Sequence, residues 1–231
     1  MSIVDFLIAD FASCLDYFVK KTPFLDSRYN FYLATIEKRL AFSGVADAVN
    51  SDEFLADVHE TLMGFFRLAR AGLLPQDQFV AEIRKHALSI EGFAGKKLGT
   101  EPSGTGNELW GLISQMKLTA NKKEKKKKDK PRLVSGAKAL HMLLPDLVVP
   151  IDRQYTGAFL FRYAQEFDSG EEEKTFNAAY ASFRKIASAV DPGAYVGTHR
   201  LHSTRTRVID NGMIGFVERA RAEVDGGLAH L

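Results

Sequence analysis

Apolar residues recur three and four positions apart along most of this chain, as in Ile3 to Phe18 and Phe31 to Leu40, and no long stretch alternates apolar with polar residues as a strand would. The class this spacing dictates is all-α. With 17 Phe, 7 Tyr and 1 Trp in 231 residues, such a chain buries a large core without covalent help. Its single cysteine, Cys14, permits no intramolecular disulfide and excludes zinc fingers and iron–sulfur domains.

The punctuation divides the periodic segments into expected helices. Ser51 stands where an N-cap belongs, and the helix behind it is expected to run through Phe54, Leu62 and Phe66 to Ala71, before Gly72. Another follows Leu74-Pro75-Gln76-Asp77. Residues Gly92 to Gly106, rich in Gly, Lys, Ser and Thr, read as loop, and Asn107 to Leu118 returns to helix. Further helices are expected over Gly136 to Leu144, Asp152 to Phe167, Glu172 to Val190 and Thr206 to Val224. No internal repeat and no shift of composition forces a domain boundary, so residues 1–231 read as a single helical unit.

Charge is distributed unevenly. The formal net charge is +2, yet the tract Lys122 to Arg132 alone contributes +6, which leaves −4 for the rest. This lysine-rich loop, residues 119–134, contains Lys125, Lys126, Lys127 and Lys128. It suits contact with a polyanion, whose counterions it would release, or equally a solvated connector. A second basic cluster, His199 to Arg207, carries Arg205 and Arg207. These two arginines fit phosphate contact, or ordinary ion pairing in which Asp210 takes one of them.

The stretch Leu133 to Arg162 holds the residues of most chemical interest. Val134-Ser135-Gly136 reads as a tight turn opening a helix, whose free N–H groups can hold a phosphate. Lys138 lies in the first turn, His141 follows on the same face, and Pro145 stops the helix after Leu144. Val149-Pro150-Ile151 then leads to Asp152 at the start of the next helix, with Arg153 and Tyr155 behind it. Lys138 and Asp152 are thereby expected to face one cleft.

In Ser135-Gly136-Ala137-Lys138 and Val149-Pro150-Ile151-Asp152-Arg153 the chain resembles the helix-hairpin-helix DNA glycosylase superfamily. The resemblance implies an all-α helical bundle, with room for two lobes around a DNA cleft, that excises a damaged or modified base and leaves an abasic site. Housekeeping repair and defence against phage with modified DNA are both open within it. It makes Asp152 the carboxylate that supports base loss, a role consistent with the positive charge that develops on the sugar; capping of its own helix is the competing reading. For Lys138 the readings are phosphate contact, attack on the sugar as an amine, and a solvated side chain. Ser135, Gly136, His141, Arg153, Lys125 to Lys128, Arg205 and Arg207 are the expected DNA contacts. His141 also suits a packed core histidine, and Tyr155 suits either a base pocket or the core.

The six histidines form no HExxH pattern, no acidic run has calcium-loop spacing, and neither metal nor organic cofactor is expected. Asp5 and Asp10 interrupt the N-terminal segment where a signal peptide would be apolar, and no run reaches membrane-spanning length. The expectation is a soluble, cytoplasmic, monomeric DNA glycosylase. A noncatalytic helical module that grips nucleic acid is the alternative.

Overall fold

The computed structural model describes residues 1–21, 27–120, 132–161 and 171–228. Among the described residues every regular element is helical, and the one β-type pairing is an isolated bridge between Leu73 and Thr119. In chain order the helices are α1 (Ile3–Ala9), α2 (Phe11–Lys21), α3 (Ser27–Ala41), α4 (Val45–Asn50), α5 (Asp52–Gly64), α6 (Gln76–Lys85) and α7 (Ala87–Glu91). They continue with α8 (Thr105–Gln115), α9 (Arg132–Leu143), α10 (Thr156–Leu160), α11 (Glu172–Val190) and α12 (Arg205–Leu228). Two 3-10 helices, Leu68–Ala71 and Pro192–Tyr195, join α5 to α6 and α11 to α12. None of the described helices is long and apolar enough to cross a membrane.

The N-terminal segment forms two helices, whereas its periodicity predicts one through Phe18. Ser2 and Asp5 form a reciprocal capping box that starts α1, and the chain breaks at Asp10. The break lets α1 lie on α11 while α2 runs along α12, the most extensive helix pair in the fold. Asp10 secures the corner through Arg219 Nη2 at 2.5 Å. Phe11, Cys14, Leu15 and Phe18 fill this seam, each large side chain contributing roughly 1.5–3 kcal/mol relative to exposure. Close approach depends on Gly212 and Gly215: a Cβ at Gly212 would stand 2.5 Å from Phe11 Cε2, and one at Gly215 would strike the Cys14 carbonyl.

Ser51 does cap α5, its Oγ accepting from the Phe54 N–H at 3.2 Å. The helix nonetheless ends at Gly64 instead of Ala71. Arg67 turns the chain in a left-handed conformation, φ 55 and ψ 31, before the first 3-10 helix. For an arginine this backbone costs roughly 1–2 kcal/mol. The turn directs Leu68 into the core and lays Phe65 on Tyr32 with ring centroids 4.9 Å apart, so packing overrides the helical periodicity.

Helix α9 starts at Arg132, four residues before the expected Gly136. Val134, Ser135 and Gly136 therefore lie inside the helix and make no tight turn, and the last residues assigned to the 119–134 loop are helical. Gly136 serves the packing of α9 on α8, since a Cβ there would lie 2.8 Å from Ile113 Cγ2. The remainder of the lysine tract, with Lys125, Lys126, Lys127 and Lys128, lies outside the described residues. Helix α10 begins later than the expected Asp152 and ends at Leu160, and residues 162–167 of the expected 152–167 span lie outside the described residues, while α11 matches its expected bounds.

Candidate active site

Six segments line a cleft of about 850 Å³: the start of α3 at Arg28, the turn after α5 with its 3-10 helix, Thr119, α9, the turn at Asp152, and α12. Lys138 and Asp152 both line it, together with Tyr155 and Asp210. That volume is within the range of sites for small organic ligands.

Lys138 enters from α9, ten of whose twelve residues are buried. Its side chain is only 7 % exposed and makes no hydrogen bond or ion pair with the described residues. The nearest partner is the face of Phe66, whose ring centre lies 5.2 Å from Nζ. Burial pulls the Lys138 pKa below the usual lysine value, against the opposing field of Asp152 and Asp210. A buried amine with no partner carries an unusually large neutral fraction, the state in which lysine is nucleophilic.

Asp152 sits at the head of a turn one stage before α10. Its Oδ1 accepts from the Tyr155 N–H at 2.7 Å, its own N–H donates to Thr156 Oγ1 at 3.2 Å, and its carbonyl accepts from the Gly157 N–H at 3.0 Å. These bonds fix the carboxylate through one oxygen. Oδ2 has no hydrogen-bond partner among the described residues, so the capping and catalytic readings of Asp152 are geometrically compatible.

Asp210 projects from α12 and pairs with Arg207 one turn earlier, both almost fully buried. The Arg207 guanidinium is caged by aromatic rings, 5.2 Å from the centre of Tyr29 and 5.3 Å from that of Tyr32. Burial pushes the Asp210 carboxyl above the usual carboxylate range in spite of Arg207, with the Asp152 charge adding to the rise. The cleft thus holds one carboxyl fixed by a hydrogen bond and a second held in a buried ion pair.

The backbone between Lys138 and Asp152 is held by His141. Its Nδ1–H donates to the Val148 carbonyl at 2.8 Å, and its Nε2 accepts from the Tyr32 hydroxyl at 2.8 Å. Thr206 closes the network, its Oγ1 lying 3.2 Å from Nδ1 and donating to the Pro145 carbonyl at 2.5 Å. One imidazole therefore ties α9, the loop to Asp152, α3 and α12 together. The ring is fully buried, and burial presses its pKa down to about 3.

This placement corrects several expected DNA contacts. His141 is inaccessible and acts as a core histidine, its competing reading. Gly136 is closed off against Ile113, and two N-terminal amides of α9 are engaged: Arg132 N–H donates to Glu172 Oε2 at 3.2 Å and Leu133 N–H to Oε1 at 3.4 Å. These two amides are not free to hold a phosphate. Arg207 is buried and pairs with Asp210, the ion pairing that is its competing reading, and Arg205 pairs with Asp191 at 3.2 Å. Ser135 and exposed Arg153 do line the cleft, and Tyr155, 4 % exposed with its hydroxyl pushed up to about 12 by burial, forms part of its wall.

Sequence reasoning misses the opposite wall. Phe65 and Phe66, expected on a helix face, provide the apolar side of the cleft, and Arg28, Arg67 and Arg70 stand around its mouth. The only local signal is the run Gly64-Phe65-Phe66-Arg67, where a glycine meets bulky residues at the end of an apolar helix. Nothing near it indicates Lys138 as its neighbour. Compared with known proteins, the chain matches no family model, no curated protein and no solved structure.

Proposed function

We propose that this protein is a DNA glycosylase that extrudes a damaged or modified base into the cleft and cleaves its N-glycosidic bond. The observation that carries the reading is the juxtaposition, in one cleft, of the buried Lys138 amine, without a hydrogen bond or ion pair among the described residues, with the half-engaged carboxylate of Asp152. The resemblance of the segments bearing these two residues to the helix-hairpin-helix glycosylases supports it.

As the bond from C1′ to the base nitrogen breaks, its electron pair leaves on the base and the sugar gains positive charge. The free oxygen of Asp152 stabilises that charge. Water adds its oxygen to C1′ and its proton neutralises the departing base anion, which gives the free base and the abasic site. Alternatively, the neutral Lys138 amine forms the C1′–Nζ bond as the C1′–base bond breaks, and its surplus proton neutralises the departing base anion. Phe65, Phe66 and Tyr155 supply faces against which a flipped base stacks.

The capping bond from Tyr155 N–H to Asp152 favours one other reading, a noncatalytic nucleic-acid module in which Asp152 only shapes the turn. Asp152→Asn separates the two. Asparagine keeps the Oδ1 acceptor, so on a substrate that wild type processes, DNA binding persists and base release falls by roughly 10²–10³ if the carboxylate is catalytic. Unchanged release in this variant refutes the catalytic assignment.

A further inference from the structure

Of the described arginines, only Arg28, Arg67, Arg70 and Arg200 make no hydrogen bond or ion pair, and three of these four line the cleft. They come from two separate elements, Arg28 from the first turn of α3 and the other two from the turn after α5. All three are exposed, whereas the carboxyl groups lining the cleft, Asp152 and Asp210, are more buried than any of them. The mouth is thus cationic and uncompensated, while the acidic groups stand within. Neutral or cationic ligands have no use for such a rim, and an anion that stays outside while part of it enters does.

The backbone adds an independent observation. Arg67 is one of two non-glycine residues with positive φ among those described, the other being Asp191. Asp tolerates the left-handed region through its short polar side chain, but arginine has no such compensation. Glycine would satisfy the turn with less strain, yet the position carries a cation at the edge of the cleft. Strain retained beside a site is the pattern of a residue held for its side chain.

We propose that Arg28, Arg67 and Arg70 form a phosphate-binding rim that holds the DNA backbone on either side of the nucleotide entering the cleft. The inference rests on the glycosylase reading only for the identity of the polyanion. It moves the DNA-gripping surface from the start of α9 and from Arg205 and Arg207, whose groups are engaged internally, to the opposite wall.

The test is the salt dependence of binding to a fluorescein-labelled DNA duplex, measured by anisotropy on the full chain. For every duplex phosphate that the protein ceases to neutralise, the slope of log K against log [salt] falls by about 0.9, so R28A/R67A/R70A lowers it by roughly 2.7. The control K20A/K21A/R200A removes the same charge from exposed residues that do not line the cleft, and leaves the slope unchanged. Arg67→Gly guards against misfolding, because it relieves the left-handed backbone: its melting temperature rises while its slope falls by about 0.9. An unaltered slope in the rim variants, or an equal fall in the control, overturns the proposal. Displacement of the duplex by millimolar AMP as effectively as by unlabelled duplex also overturns it, making the rim a site for free nucleotides. If wild type binds with the expected slope changes yet releases no base from any DNA, the glycosylase reading fails and the rim stands.

Discussion

Replacing His141 by Gln removes a titration that the fold suppresses down to about pH 3. In the unfolded chain this imidazole takes a proton near its ordinary pKa of 6.5. Between those two values the unfolded state binds a proton that the folded state refuses, so the stability His141 confers is complete above pH 6.5 and declines as the pH falls. The rate is about 1.4 kcal/mol per pH unit, which amounts to about 2 kcal/mol at pH 5 and approaches about 5 kcal/mol near pH 3. At pH 7.5 the variant is less stable than wild type by about 1–3 kcal/mol, because the bonds to Val148 and Tyr32 are remade imperfectly. The difference then narrows by about 2 kcal/mol at pH 5. Urea unfolding at pH 7.5, 6 and 5 and fixed ionic strength reads this directly, and His202, also buried, cancels in the comparison. Parallel pH profiles for the two proteins, or an NMR titration of His141 near 6.5, would refute the reasoning and with it the account of how Lys138 and Asp152 are held together.

Three other outcomes follow from the geometry. Arg67→Gly raises stability by about 0.5–1 kcal/mol in thermal unfolding, since the relief of left-handed strain exceeds the flexibility glycine adds to the unfolded chain. Gly215→Ala lowers it by about 2–3 kcal/mol, because the added Cβ meets a backbone carbonyl of α2 that moves only with its helix; a loss below about 1 kcal/mol in chemical denaturation would show the seam to be loose. On a DNA that wild type processes, borohydride traps a covalent protein–DNA adduct, and Lys138→Ala abolishes it; an adduct persisting in that variant would place the reactive amine elsewhere.

Where local signals act alone, the sequence is a sound guide to the fold. The Ser51 cap and the whole of α11 are set by capping and periodicity within their own segments. The departures occur where a distant partner decides. Periodicity through Phe66 continues past Gly64, but the space between Tyr32 and the core turns the chain at Arg67 instead. Helix α9 begins at Arg132 because Glu172, forty residues away in sequence, supplies its cap. In the candidate site, Lys138 and Asp152 are legible from their placement around one helix and one loop. The aromatic wall and arginine rim are not, since only the tertiary fold brings residues 65–70 against residues 138–155. Of the basic residues that look most available in the sequence, Arg207 takes Asp210, the pairing the sequence offers as the rival to phosphate contact, and Arg205 takes Asp191, a partner fourteen residues away that the sequence does not indicate.

The central claim is that the cleft breaks a glycosidic bond. It is tested most directly by incubating the protein with a panel of genomic and phage DNAs, including modified-base DNA, then identifying released bases by mass spectrometry and abasic sites with an aldehyde probe. The account predicts a free base with matching abasic sites from at least one DNA, both lowered by roughly 10²–10³ with Asp152→Asn. DNA that is bound across the panel yet yields neither base nor abasic site would contradict it.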